Sequence, residues 1–238
     1  MPRGKQTFSG AFGGSQGGAS AKKKPKYSGR KMLSKKKKFI LGTTTRATLR
    51  YAETITITGS AVQGALGTYI FSANGCYDPN YTGTGTQPRG FDELMSLYDH
   101  YTVVGSTITA RFANQSATRP YVGIAVRDSI SSVAEVTDLA EYGDKVLSGK
   151  ALARAGGAEP GEASTMLSTK CNVAEFLGRR SAMSDPELKG TANANPTEQV
   201  FYHICAGDVS ASSAVDVDVI VTITYDVILH EPKIPTSS

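Results

Sequence analysis

Lys22-Lys23-Lys24-Pro25-Lys26 and Lys35-Lys36-Lys37-Lys38 set eight ammonium groups within seventeen residues, with Arg30 and Lys31 between the clusters and Arg3 and Lys5 upstream. Their chemistry is electrostatic. Like charges at this density repel and hold the chain extended until a polyanion neutralises them. Neutralisation releases condensed counterions, so binding to phosphate is strong, salt-dependent and blind to base sequence. Arg3, Lys5, Lys22, Lys23, Lys24, Lys26, Arg30, Lys31, Lys35, Lys36, Lys37 and Lys38 are therefore the expected nucleic-acid-binding residues. No recognition helix, zinc finger or aromatic RNA-binding signature accompanies them. Phe8, Phe12 and Tyr27 are the aromatics available to stack on unpaired bases. Lys22, Lys23, Lys24 and Lys26 also have the compact basic character that importins recognise, and the two roles are compatible. A merely solubilising tail has no need of two lysine clusters free of acid.

Elsewhere the residue types that catalyse or bind metals do not converge. His203 and Cys205 lie two apart in a strand-like run and so share a face, but two ligands do not complete a metal site. A hydrogen-bonded core histidine beside a buried thiol is the expected outcome. Asp99-His100 with a serine would make a nominal hydrolytic triad, yet no nucleophile turn is expected in the chain. Thr82-Gly83-Thr84-Gly85-Thr86-Gln87 lacks the Gly-Lys-Ser/Thr ending of a phosphate loop. Following Cys76-Tyr77-Asp78-Pro79-Asn80, it reads as a surface loop. Asp78, Asp99, Asp128 and Asp144 offer oxygens to Ca²⁺ between subunits, without an EF-hand spacing. No catalytic residue, metal ligand or cofactor is assigned, and no enzyme is expected.

Charge is distributed unevenly along the chain. Of 26 Lys+Arg, 14 fall in residues 1–50, where there is no acid, while the remaining 188 residues carry 12 basic and 21 acidic groups, a net of −9. A basic arm on an acidic body is the footprint of a protein that holds a polyanion with its tail. Residues 1–21 are rich in Gly, Ser and Ala and cannot bury enough apolar surface to offset their ordering entropy, so the arm is expected to be disordered. The division falls at residue 46, with an arm over 1–46 and a body over 47–238.

From Ala47 the composition turns to β-branched residues, Tyr, Gly and Thr. Ala47–Thr58 puts Leu49, Tyr51, Ile55 and Ile57 on one face, the pattern of a half-buried strand. Further strands are expected over Gly67–Ala73, Tyr101–Ala113, Arg119–Arg127, Gln199–Ala206 and Val215–Leu229, and Ala163–Phe176 leans the same way. In the last of these Asp216 and Asp218 face away from Val215, Val217 and Val219. From Ile220 the run reads as nearly continuous apolar, as for a strand passing between two sheets. Phe91, Leu94, Met95 and Tyr98 form one helical stripe, and Val133–Tyr142 a weaker one. The body is thus an antiparallel β-sandwich or barrel, and no repeat points to a propeller or solenoid.

No apolar run is long enough for a membrane helix, and no apolar stretch follows the charged start as in a secretory signal. The sequons Asn80-Tyr81-Thr82 and Asn114-Gln115-Ser116 therefore read as chance. Cys76, Cys171 and Cys205 form neither a disulfide framework nor a zinc spacing, which places the chain in a reducing compartment.

Tyr69-Ile70-Phe71-Ser72-Ala73-Asn74-Gly75-Cys76-Tyr77-Asp78-Pro79, then Gln87-Pro88-Arg89-Gly90-Phe91-Asp92, then Leu97-Tyr98-Asp99-His100-Tyr101 resembles the capsid proteins of small circular Rep-encoding single-stranded DNA viruses. The coats of those viruses are similar to those of small icosahedral RNA viruses. The resemblance spans arm and body, is sharpest over 69–112, and in the C-terminal half is one of strand rhythm. It implies an all-β, single jelly-roll β-sandwich of two four-stranded antiparallel sheets with a disordered basic N-terminal arm. It further implies a homo-oligomeric icosahedral shell of roughly 60 copies or a multiple, and a role in the virion. The arm would hold the viral genome as ssDNA, and a host importin would carry the chain to the host nucleus. The weak pattern between Lys145 and Lys170, where a sixth strand should run, departs from the family. Roughly 60 copies with 14 cations each bring about 840 positive charges to phosphates on the order of a thousand, which suits a short genome. The alternative is a cellular nucleic-acid-binding or histone-chaperone-like oligomeric β-sandwich. A β-sandwich enzyme with a targeting tail would need a convergent polar pocket.

No core-forming strand is expected before Ala47. Deleting residues 1–38 should therefore leave a cooperative thermal transition, measured by circular dichroism; its loss would show that the arm is part of the fold.

Overall fold

Alternation of β-branched or aromatic residues with Thr, Ser or charged ones builds the body from strands. The computed structural model describes residues 41–114, 120–141, 153–154, 164–208 and 214–234. The strands are β1 (Thr44–Thr58), β2 (Leu66–Ser72), β3 (Tyr98–Asn114), β4 (Tyr121–Arg127), β5 (Ala153–Arg154), β6 (Ser164–Asn172), β7 (Lys189–Gly190), β8 (Phe201–Gly207) and β9 (Asp216–Pro232). Three short helices, α1 (Phe91–Leu97), α2 (Val136–Glu141) and α3 (Val173–Phe176), sit in the connections.

One sheet runs β1-β9-β3-β6 and the other β2-β8-β4-β5, with every pairing antiparallel. β6 pairs β3 from Gly105 to Ala113, and β7 takes over the same edge at Tyr101 and Thr102. Each sheet therefore has four strand positions, the first with a short extra strand. Successive strands cross between the sheets, the pairs β4–β5 and β6–β7 excepted, and interleave as two Greek keys. This is a jelly roll.

Several boundaries differ from the sequence reading. β1 begins at Thr44, so Thr44, Thr45 and Arg46, assigned to the arm by composition, pair with His230, Leu229 and Ile228. Their ladder is made by backbone and needs no apolar alternation. The run 163–176 divides: β6 ends at Asn172, whose side chain accepts from Glu175 N and caps α3. Residues 142–152 and 155–163 lie outside the described part, which leaves β5 and β6 in the stretch of weak pattern.

β9 corrects the expectation of an all-apolar passage. Its alternation continues to Leu229, with Val221, Ile223, Tyr225, Val227 and Leu229 inward and Thr222, Thr224 and Asp226 on the half-buried face. Ile220 is 54% exposed. The strand lies within one sheet, so one face stays wet. β8 behaves in the opposite way and is buried on both faces. Its outer face is covered by the segment leading into α2: Leu66 N donates to Ala134 O at 2.9 Å, and Val133 and Leu139 pack on Ala125 and Cys205.

Between the sheets, buried tyrosines carry hydroxyls that must find partners. Tyr225 Oη donates to Ser72 O at 2.7 Å. Tyr202 Oη meets Ser106 Oγ at 2.8 Å, and that serine donates to Ala73 O at 2.6 Å. Tyr101 Oη accepts from Cys76 N at 3.0 Å and Tyr77 N at 3.3 Å, and donates to Asn195 Oδ1 at 3.2 Å. Sheet-one residues thus hold the chain where it leaves β2. Gly190 of β7 packs on the Tyr101 ring, where any Cβ would overlap the ring atoms. Gly90, at φ 83, turns the chain into α1, which runs directly into β3.

Tyr101→Phe should leave the Cys76 N–H buried without its acceptor and cost about 2–3 kcal/mol, whereas Tyr225→Phe removes one donor from a carbonyl and costs about 1 kcal/mol. Urea unfolding of the two variants checks the order; equal losses would show that Tyr101 does not anchor this turn.

Candidate nucleic-acid interface

All twelve arm residues assigned to nucleic acid, Arg3, Lys5, Lys22, Lys23, Lys24, Lys26, Arg30, Lys31, Lys35, Lys36, Lys37 and Lys38, lie outside the described residues. Two further cations of the first fifty residues do not. Arg46 and Arg50 stand on β1, where alternation turns them outward while Leu49 and Tyr51 enter the core.

Register carries this charge across the first sheet. Arg50 pairs with Thr224, Thr224 with Thr107, and Thr107 with Lys170, which makes one row over four strands. In the neighbouring row Thr48 pairs with Asp226. Arg46 Nε donates to Asp226 Oδ1 at 2.6 Å and its Nη2 to Oδ2, an exposed pair that pushes the guanidinium above its ordinary value. A cavity of about 910 Å³ opens here, lined by Arg46, Lys170, Arg180 and Asp226 among others. A second, of about 570 Å³, adjoins it at Thr48 and holds Arg50 and Arg89. At the far end of the same face the charge reverses: Thr58 Oγ1 donates to Asp216 and Thr56 Oγ1 to Asp218, both at 2.7 Å. Lys170, Arg180 and Arg89 were not singled out from sequence. The polar alternation Ser168, Lys170, Asn172 marks β6's outward face, but only register shows that it meets Arg50.

The other candidate chemistry separates. His203 is fully buried, with Nε2 2.7 Å from Ser129 O. A carbonyl only accepts, so Nε2 carries the proton and Nδ1 is left buried without a partner. Burial pushes the imidazole down to about 4; the Ser129 carbonyl opposes this and Arg127 adds to it. Cys205 faces Thr68 Oγ1 at 3.7 Å, and burial pushes its thiol up to about 12. Burial likewise raises Cys171 to about 12 and Cys76 well above its ordinary value, so all three thiols are free, buried and poorly nucleophilic.

His100 Nδ1 lies 3.0 Å from Glu231 Oε2, and its ring stacks on His230 at 5.8 Å, which makes it part of an ion-pair cluster with Lys189. Among the described residues no group of three His, Cys, Asp or Glu could hold a metal ion; Asp144 of the Ca²⁺ reading lies outside them. The loop 82–87 is a largely exposed turn region, and Asn80, in a sequon, is fully buried.

The fold places the body in the class of jelly-roll β-sandwiches. No family model matches the chain, and no curated protein does. Solved structures are similar to it. They include the crystal structure of the 60-mer BFDV capsid protein, with 11% identity over 83% of this chain and 100% of that one at a TM-score of 0.43. Turnip yellow mosaic virus matches with 14% identity over 82% and 98% at 0.42. The giant freshwater prawn Macrobrachium rosenbergii nodavirus semi-empty VLP matches with 10% identity over 84% and 100% at 0.40. These likenesses are remote, and the fold assignment stands on this chain's own strand order and register.

The folded value of His203 lies below its ordinary 6.5, so the stability it contributes is complete above that pH and declines as pH falls toward 4. About 2 kcal/mol should be gone by pH 5. His203→Gln should flatten that part of the stability–pH profile from chemical denaturation; an unchanged profile would assign the acid sensitivity elsewhere.

Proposed function

We propose that this chain is a viral capsid protein: a jelly-roll subunit that assembles into a closed shell and packages the genome through its basic arm. The observation that carries the reading is the segregation of charge, with 14 Lys+Arg and no acid in residues 1–50 ahead of 188 residues of net −9. A subunit that walls off a polyanion needs cations on one segment and a wall that the polyanion does not coat. The jelly roll is compatible with that role, though fold alone assigns none. The resemblance of residues 69–112 to circular ssDNA virus coats adds the cargo class. Single-stranded DNA follows from that resemblance alone, because lysine reads phosphate and not sugar. Lys22, Lys23, Lys24 and Lys26 are the proposed importin-binding segment, which would bring the chain to the host nucleus for assembly.

Expression of the chain with no other viral component, followed by electron microscopy and mass measurement, tests the reading. Closed shells of roughly 60 subunits, about 1.5 MDa in all, or a multiple, are expected. Small rings or monomers would favour the histone-chaperone-like alternative. Changing Lys35, Lys36, Lys37 and Lys38 to Gln should lower the nucleic acid carried per shell.

A further inference from the structure

Arg46, Arg50, Arg89, Lys170 and Arg180 come from four separate parts of the chain, yet they line two adjoining cavities on the outward face of the first sheet. Asp226 is the one carboxylate in either lining, and it is already engaged by Arg46 through both oxygens. The two linings together hold five cations and one anion, a local excess of four positive charges on a body whose overall balance is negative. Arg50, Arg89, Lys170 and Arg180 have no ion-pair partner among the described residues.

We propose that this groove is a second phosphate-binding site, one that seats the backbone of a single-stranded nucleic acid on the folded body independently of the arm. The proposal rests on the reading of the chain as one that packages nucleic acid, and it names where the wall itself takes part. Arg50 and Lys170 lie three strand spacings apart in one row, about 14 Å. Thr107 and Thr224 fill the row between them, and Thr48 joins the cavities. Guanidinium, ammonium and hydroxyl groups are the side-chain donors that contact phosphate oxygens. No aromatic side chain lines the larger cavity, and Tyr51 of the smaller one is buried in the core, so the groove offers bases no exposed ring to stack on and reads the backbone only.

The test is the salt dependence of binding of the full-length chain to a fluorescein-labelled mixed-sequence single-stranded oligodeoxynucleotide. Arg50→Gln, Lys170→Gln and Arg180→Gln together should reduce the slope of log Kobs against log[NaCl] by about 2, at about 0.7 per phosphate contact on a single strand. Asp226→Asn frees Arg46 and should steepen the slope by about 0.7, a gain that misfolding cannot produce. If the triple variant melts early, Lys170→Gln alone carries the loss arm, with an expected reduction of about 0.7. An unchanged slope in the groove variants, with a shallower one when Lys35, Lys36, Lys37 and Lys38 become Gln, overturns the groove and leaves the arm reading intact. Groove variants that assemble poorly but keep the parent slope mark a contact between subunits and likewise overturn it. A parent chain whose binding does not depend on salt overturns the packaging reading itself.

Discussion

The sandwich depends on polar contacts made across an otherwise apolar core. Apolar burial drives two sheets together but is non-directional and sets no relative placement. The tyrosine hydroxyls supply direction. Tyr225, Tyr202 through Ser106, and Tyr101 each reach the backbone between Ser72 and Tyr77 as it leaves β2. Asn195 accepts from Tyr77 N and Asp78 N at 3.1 Å and so closes the same turn from the other side. With that turn anchored, the chain arrives at α1 and β3 in a fixed place, and β3 in turn sets the register of β9, β6 and β7. Phenylalanines would bury similar area without specifying any of this.

The same residues explain what could be read from the sequence. β1 and β3 were legible because each keeps one wet face, and the Leu97–Tyr101 segment stood out because its tyrosines have structural partners. Between Ile220 and Leu229 the sequence misled: threonines on an outward face look compatible with burial until the pairing shows where they point. β8 was legible as a strand, but its second buried face was not, since its cover comes from residues some seventy positions earlier. β5 has two residues and no pattern of its own; its pairing with β4 defines it. The arm's charge is a matter of composition and needed no structure. The groove is a matter of register, and Lys170 and Arg180 acquire meaning only when pairing through β9 and β3 brings β6 and the chain beyond α3 onto the same cavity as Arg46 of β1.

Overall charge says little about what each surface attracts. Arg46 and Thr58 are twelve residues apart on β1, roughly 40 Å along the strand, against a screening length of about 8 Å at physiological salt. The basic end of the first sheet and its Asp216–Asp218 end are therefore electrically separate. A ligand at one does not sense the other. An acidic body can repel nucleic acid over most of its surface and still hold it locally, which confines contact to chosen places.

The strand order also governs when the protein can exist as a folded object. β8 lies between β2 and β4, and β9 between β1 and β3, so one inner strand of each sheet is among the last two of the described strands to be made. A nascent chain therefore leaves the ribosome with both sheets split and with unpaired edges that have no legitimate neighbour until β8 and β9 emerge. Folding is tied to the synthesis of these two strands. Chains that stop before β8 lack an inner strand of both sheets, so the topology itself discriminates against such fragments.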